Sequence, residues 1–168
     1  VNTFISVTEK KLTAEEQAKG LTLESPQVRN RFVNSSVQKL LKQKPAPLAA
    51  KKNLALITPG NFEDDFDKLK DVDWIIEVIV ENLDIKKSLM EKIDAVRKPG
   101  TIVSSNTSGV SINAMAEGRS EDFQKHFLGT HFFNPPRYLK LLEVIPSNTT
   151  APKVVSFMQA FGEDVLGK

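Results

Sequence analysis

The stretch Asp73-Trp-Ile-Ile-Glu-Val-Ile-Val80 decides the fold. Its apolar run is almost continuous, which predicts a parallel strand covered on both faces. Glu81-Asn82 follows directly. A helix is then predicted from about residue 84 to residue 97, where Pro99-Gly100 ends it. Residues 101–104 read as the next strand. Strand, helix and strand at this spacing make a βαβ unit, since parallel neighbours need a crossover between them.

Working outward toward the N-terminus, residues 2–8 (NTFISVT) read as a short strand, because β-branched and aromatic side chains dominate. In KKLTAEEQAKG, Thr13 is an N-cap with Glu16 three residues on, and Gly20 stops the turn. A longer helix is predicted from Ser25, with Ser25 as cap and Pro26 at its first position. Val28, Phe32, Val37, Leu40 and Leu41 recur at helical spacing, opposite a solvated face of Arg29, Arg31, Lys39 and Lys42. Pro45 and Pro47 make residues 44–52 a connector. Residues 54–58 read as a buried strand closed by Pro59-Gly60, and acidic residues 61–70 as a short surface helix.

Toward the C-terminus, a Ser/Thr/Asn loop at 104–111 leads into a helical turn at 112–117. Strands are predicted at 126–133 and 139–145, separated by a turn at 134–137. A helix at 151–161 carries Val154, Val155, Met158 and Phe161 on one face. There is no internal repeat. The pattern is a layered α/β sheet.

Composition narrows the chemistry. The 168 residues are 40% apolar and 26% charged, as in ordinary soluble domains, and the length suits one domain. No apolar run approaches the roughly 18 to 20 residues of a membrane span, and the first eleven residues lack the zones of a secretory signal. With 23 basic and 21 acidic side chains, the net charge of +2 is too small to argue for nucleic acid or an anionic membrane, and neither is expected as a partner. The absence of cysteine excludes disulfides, thiolate zinc sites and thiol nucleophiles, and two histidines leave little for a metal site. The expectation is a soluble, cytoplasmic protein without a metal, whose chemistry comes from Ser, His, Asn, Glu and Lys.

Open α/β sheets bind ligands outside the carboxyl ends of their strands. Three such ends carry polar groups here: Glu81-Asn82, Ser104-Ser-Asn-Thr-Ser108, and His131 with Asn134 three residues on. Glu143 is a fourth, flanked by Leu141, Leu142, Val144 and Ile145. Each also has a plain structural reading, as an ion-pair member, a core histidine, a loop or a turn. Burying Glu143 without a partner is expensive, and the nearby strand with a titratable cation is the one carrying His131. A His131–Glu143 pair makes a general base supported by a carboxylate. Ser108 supplies a neighbouring hydroxyl, and with no Gly-x-Ser-x-Gly elbow it is not read as a nucleophile. Proton transfer from an alcohol fits better.

Four ordered motifs carry a resemblance: Glu77-Val-Ile-Val-Glu81-Asn82-Leu-Asp-Ile-Lys86, Ser-Asn-Thr-Ser108, Gly129-Thr-His-Phe-Phe-Asn-Pro135 and Leu139-Lys-Leu-Leu-Glu-Val-Ile145. Over residues 11–168 the chain resembles the NAD-binding domain of L-3-hydroxyacyl-CoA dehydrogenases, as in bacterial multifunctional β-oxidation proteins that join it to an enoyl-CoA hydratase. The resemblance implies a Rossmann-like, doubly wound, mostly parallel sheet. It implies that His131 removes the 3-hydroxyl proton of a 3-hydroxyacyl-CoA while hydride leaves C3 for NAD, that Glu143 pairs with His131, and that Ser108 lies near nicotinamide and substrate. It further implies cofactor contacts at Glu81 and Lys86, with Ile79 and Val80 lining the same edge, at Asn106 in the cofactor loop, and at Asn134 beside the nicotinamide. A homo-oligomer or a multifunctional β-oxidation complex is the assembly it implies.

Two departures accompany it. The glycine-rich strand–turn–helix that opens the family is not found in residues 1–58, where Gly20 and Gly60 stand alone, and the ribose-binding acid falls near Ser6, with Glu9 displaced. At the other end the family continues into a helical domain. Residues 1–168 are therefore read as a partial NAD-binding domain with the C-terminal helical domain absent, and weak NAD binding and little turnover are expected of the isolated chain. The alternatives are a non-catalytic remnant or binding module that retained the fold, and another NAD-dependent hydroxyacid or sugar-acid dehydrogenase.

Overall fold

The computed structural model describes residues 11–168, and residues 2–4 by their backbone. Two units are distinguished, Val1–Asp67 and Lys68–Lys168.

In the first unit, β1 (Asn2–Phe4) pairs in parallel with β2 (Thr58–Gly60). The rest of the strand predicted over 2–8, with Ser6 and Glu9, lies outside the described residues. Helix α1 (Ala14–Ala18) opens on the expected capping box: the Glu16 N–H donates to the Thr13 hydroxyl and the Thr13 N–H to the Glu16 carboxylate at 2.7 Å. Gly20 takes a left-handed φ of +65°.

The helix expected from Ser25 is two helices, α2 (Pro26–Arg29) and α3 (Arg31–Lys39). Asn30 breaks it at φ −95°, ψ 3°, where its side-chain oxygen accepts from buried Asn61 at 2.9 Å. The break resets the helical phase, so the buried stripe is Val28, Val33 and Val37, while Leu41 is exposed. Ser25 precedes α2 but does not cap it, because its hydroxyl accepts from the Thr22 N–H instead.

The strand expected at 54–58 is displaced. Lys51–Leu56 form a 3-10 helix with Leu56 exposed, and β2 itself contains Pro59 and Gly60, which were expected to end the strand. Proline is tolerated in a strand paired on one side. The acidic helix expected at 61–70 also starts late. The Asn61 side chain accepts from the N–H groups of Glu63 and Asp64, a local turn that competes with helix, and a 3-10 helix follows at Phe66–Asp71.

The second unit is a four-stranded sheet in the order β3 (Trp74–Glu77), β4 (Ile102–Ser105), β5 (Phe127–Phe132), β6 (Leu142–Pro146). The first three strands are parallel and β6 is antiparallel to β5. The fold is Rossmann-like and mostly parallel, as expected. Helix α4 (Leu83–Val96) is the crossover between β3 and β4, and the Asn82 side chain caps it through the Ile85 N–H. Helices α5 (Ile112–Ala116) and α6 (Glu121–Lys125) start on serine caps, Ser111 and Ser120. The unexpected α6 carries its signal in Ser120-Glu121-Asp122, a cap followed by an acidic first turn. Helix α7 (Pro152–Phe161) lays Val154 and Met158 against Leu128, with Trp74, Ile102 and Val144 around them.

Two strand expectations change. The run at 73–80 yields strand only to Glu77, because the Glu77 carboxylate accepts from the Ile79 N–H and turns the chain out of the sheet. As an end strand of this sheet, β3 is not covered on both faces: Ile75 is buried, whereas Ile76 is 42% exposed. β6 begins at Leu142 rather than residue 139, since its partner, Phe132, is the last residue of β5. Among the described residues no helix is long and apolar enough to cross a membrane.

Candidate active site

Parallel pairing sets Glu77 beside Ser105 and Ser105 beside Gly129, so β3 and β4 end in step and β5 runs three residues further, to Phe132. The segments that follow them, residues 78–82, 106–111 and 133–134, leave the sheet at one carboxyl edge.

His131 and Glu143 face each other directly across β5 and β6, and the imidazole Nδ1 lies 2.8 Å from a Glu143 carboxylate oxygen. A carboxylate only accepts, so Nδ1 carries the proton of this bond and Nε2 is left as the ring's acceptor. The Phe133 ring lies 4.5 Å from the imidazole, centroid to centroid. The His131 side chain is 19% exposed and that of Glu143 48%. Glu143 is thus not enclosed by its aliphatic neighbours, as the sequence suggested. Strand alternation puts Leu141, Glu143 and Ile145 on the exposed face and turns Leu142 and Val144 inward. Register, not the cost of a buried charge, brings the pair together.

At the ends of β3 and β4, Glu81 gathers the serine loop. Its carboxylate accepts from the Thr107 hydroxyl at 2.8 and 2.9 Å and from the Ser108 N–H at 3.0 Å, with the Ser108 hydroxyl at 3.5 Å. Burial works to raise the Glu81 carboxyl, but the Ser108 N–H, the Thr107 hydroxyl and the Lys86 ammonium outweigh it and hold it below its ordinary range. Ser108 is exposed, and its hydrogen bonds run to Glu81. The Asn106 side-chain oxygen accepts from the Phe132 N–H at 2.9 Å, which ties the loop after β4 to the residue following His131. Asn134 is exposed in the turn after β5, and at the end of β3 Val80 is exposed and Ile79 half-buried.

Lys86 sits in the interior, 1% exposed. Its ammonium donates to Glu77 at 2.8 Å and to the Ile79 carbonyl at 3.2 Å, and lies 3.3 Å from Glu81. Glu77 and Thr107 were not singled out as site residues in the sequence. The signal for Glu77 was a lone carboxylate inside an apolar run with a lysine nine residues on.

A mostly parallel α/β sheet with a histidine–carboxylate pair at its carboxyl edge defines a Rossmann-like nucleotide-binding domain. The chain belongs to the family described as 3-hydroxyacyl-CoA dehydrogenase, NAD binding domain, which it matches over residues 11–168. It is 60% identical over 165 residues to a probable 3-hydroxyacyl-CoA dehydrogenase of Bacillus subtilis, covering 98% of this chain and 21% of that protein. It is 40% identical over 139 residues to a putative fatty acid oxidation complex trifunctional enzyme of Rickettsia felis, covering 83% of this chain and 19% of that protein. The crystal structure of 3-hydroxybutyryl-CoA dehydrogenase from Escherichia coli superposes with a TM-score of 0.69 at 29% identity, over 86% of this chain and 30% of that one. The chain spans between 19% and 40% of the length of these curated relatives and of a third, from Deinococcus radiodurans.

Proposed function

We propose that the chain serves NAD-dependent oxidation of L-3-hydroxyacyl-CoA to 3-oxoacyl-CoA in fatty-acid β-oxidation, as the catalytic edge of a larger protein. The observation that carries this reading is the His131–Glu143 pair at 2.8 Å. With Nδ1–H held by Glu143, Nε2 accepts the 3-hydroxyl proton, and the carboxylate stabilises the imidazolium that forms. When bound, NAD supplies the acceptor for the hydride that leaves C3.

The residues present suit that cofactor. Glu81 is a half-exposed carboxylate held in its charged form, able to accept from ribose hydroxyls. The exposed Ser108 and Asn134 offer the donors and acceptors that a carboxamide and a substrate oxygen require. Ile79 and Val80 line the same edge, Asn106 braces the loop against β5, and Lys86 reaches the site through Glu81. Residues 1–168 form part of the NAD-binding domain and take the rest of the acyl pocket from elsewhere in the protein, within an assembly of β-oxidation activities. The isolated chain then turns over weakly.

The test is His131→Ala, assayed with 3-hydroxybutyryl-CoA and NAD in the longest expressed protein carrying these residues. Turnover is expected to vanish while the NADH dissociation constant stays within about threefold, because only the base is removed. Unchanged turnover would overturn the assignment.

A further inference from the structure

The Thr107 hydroxyl is fully committed within the loop after β4. Its residue is 3% exposed, and a hydroxyl has one hydrogen to give and two lone pairs to fill. The hydrogen goes to Glu81, whose two carboxylate oxygens lie at 2.8 and 2.9 Å. The lone pairs accept from the Val110 N–H at 2.8 Å and from the Gly109 N–H at 3.3 Å. Its neighbour Ser108 is the opposite case. Ser108 is exposed, and its hydroxyl stands 3.5 Å from Glu81, at the limit of a hydrogen bond.

Two N–H groups aimed at one oxygen leave its hydrogen a single direction, so the turn itself makes the Thr107 proton face Glu81. The β-branch adds stiffness, because the methyl restricts χ1. The effect runs both ways. The Glu81 side chain is 47% exposed at the end of β3, and a carboxylate so open to water keeps one rotamer only where donors hold it. Burial works against its charge, and the Ser108 N–H, the Thr107 hydroxyl and Lys86 outweigh that cost. In the other direction, the hydroxyl closes residues 107–110 into a turn just before the Ser111 cap of α5. The Ser108 backbone is held inside that turn, with its N–H on Glu81 at 3.0 Å.

We infer that Thr107 is a positioning residue for the cofactor edge: its buried hydroxyl donates to Glu81 while it accepts from the Gly109 and Val110 N–H groups, and so fixes both the Glu81 carboxylate and the Ser108 backbone. The inference rests on the reading of this edge as the NAD site. It adds a residue that acts through Glu81 and Ser108.

The test compares the parent with Thr107→Val, which removes the hydroxyl at nearly constant shape, and with Thr107→Ser, which keeps it. Thr107→Ala removes the same hydroxyl without pressing a methyl on the carboxylate, and stands in if the valine variant does not fold. Two quantities are read in the longest expressed protein carrying these residues: the titration midpoint of Glu81 by carbon NMR of its carboxyl, and the NADH dissociation constant by fluorescence. Loss of the hydroxyl is expected to raise the Glu81 midpoint by about one pH unit, since a donor to the charged form is gone. It is expected to weaken NADH about tenfold, whereas Thr107→Ser stays within about threefold of the parent. The inference falls if the hydroxyl-free variants move only one of the two quantities or neither. It falls equally if Thr107→Ser loses as much as they do, because the loss then comes from packing and not from the hydroxyl. A parent that binds no NADH overturns the reading of the edge as an NAD site and this inference with it, whereas a parent and variants that all bind NADH alike overturn the inference alone.

Discussion

Glu143→Gln separates catalysis from stability at the histidine pair. The amide keeps an oxygen that can accept from the His131 Nδ1–H, so the tautomer survives and only the charge is lost. With nitrogen and oxygen 2.8 Å apart, the charge centres of an imidazolium and a carboxylate lie about 4 Å apart, an attraction of ~1 kcal/mol in water and ~4 kcal/mol at the effective dielectric of a protein surface. The Glu143 side chain is 48% exposed and that of His131 19%, which places the pair between those limits. About 2 kcal/mol of support for the imidazolium is the result, or roughly a thirtyfold fall in kcat for oxidation of 3-hydroxybutyryl-CoA. The folded state draws much less from the pair, because an exposed ion pair contributes about 0–1 kcal/mol and shifts Tm by no more than about 2–4 °C. Steady-state kinetics and a thermal melt on the same preparation check both numbers. A kcat within about threefold of the parent, alongside a Tm lowered by more than twice the shift expected for such a pair, would mean that the carboxylate is a strut of the β5–β6 ladder and not a partner in proton transfer.

Two further outcomes follow from neighbouring geometry. At Gly129, two residues before His131, an added Cβ would stand 3.1 Å from the Ile145 Cβ and 3.0 Å from the Ile112 Cδ1, so Gly129→Ala should cost about 1–3 kcal/mol in urea denaturation by overpacking. An unchanged midpoint would show that Ile145 gives way freely. Burial works to raise the Asp122 carboxyl, but the Gly100 N–H and the Arg97 guanidinium outweigh it and hold it below the usual aspartate range. A depressed carboxyl stabilises the fold above the unfolded value of about 3.9, and that stability disappears as pH falls through the folded value. Asp122→Asn should therefore lose less stability than the parent between neutral pH and about pH 3, and equal losses in urea melts at the two pH values would exclude Asp122 as a contributor.

Much of the second unit was legible because its signals are local. The apolar run at Trp74–Glu77, the stop at Pro99-Gly100 and the helical spacing of Val154 and Met158 all act within a few residues, and the four motifs fell on the ends of strands and on β6. Errors came where a distant partner or a side chain's own hydrogen bonds overrode a local pattern. Asn30 breaks a helix whose apolar spacing looked continuous because its side chain meets Asn61, 31 residues away. The apolar run after β3 looked like strand as far as Val80 until the Glu77 carboxylate captured the Ile79 N–H.

The sequence by itself determined that a βαβ unit forms, that polar groups collect at its strand ends, and that His131 and Glu143 lie on neighbouring strands. Periodicity, caps and stop signals act over a few residues and need no knowledge of packing. The tertiary structure alone decided which charges are covered. Glu143 stayed half in solvent because the antiparallel register put it on the open face, while Lys86, which by its type belongs in water, was drawn inside by a carboxylate on β3. Burial depends on what covers a side chain. For Lys86 the partners are the Glu77 carboxylate, the Ile79 carbonyl and Glu81, on β3 and the turn that leaves it, and they meet the lysine only once α4 has crossed back over the sheet.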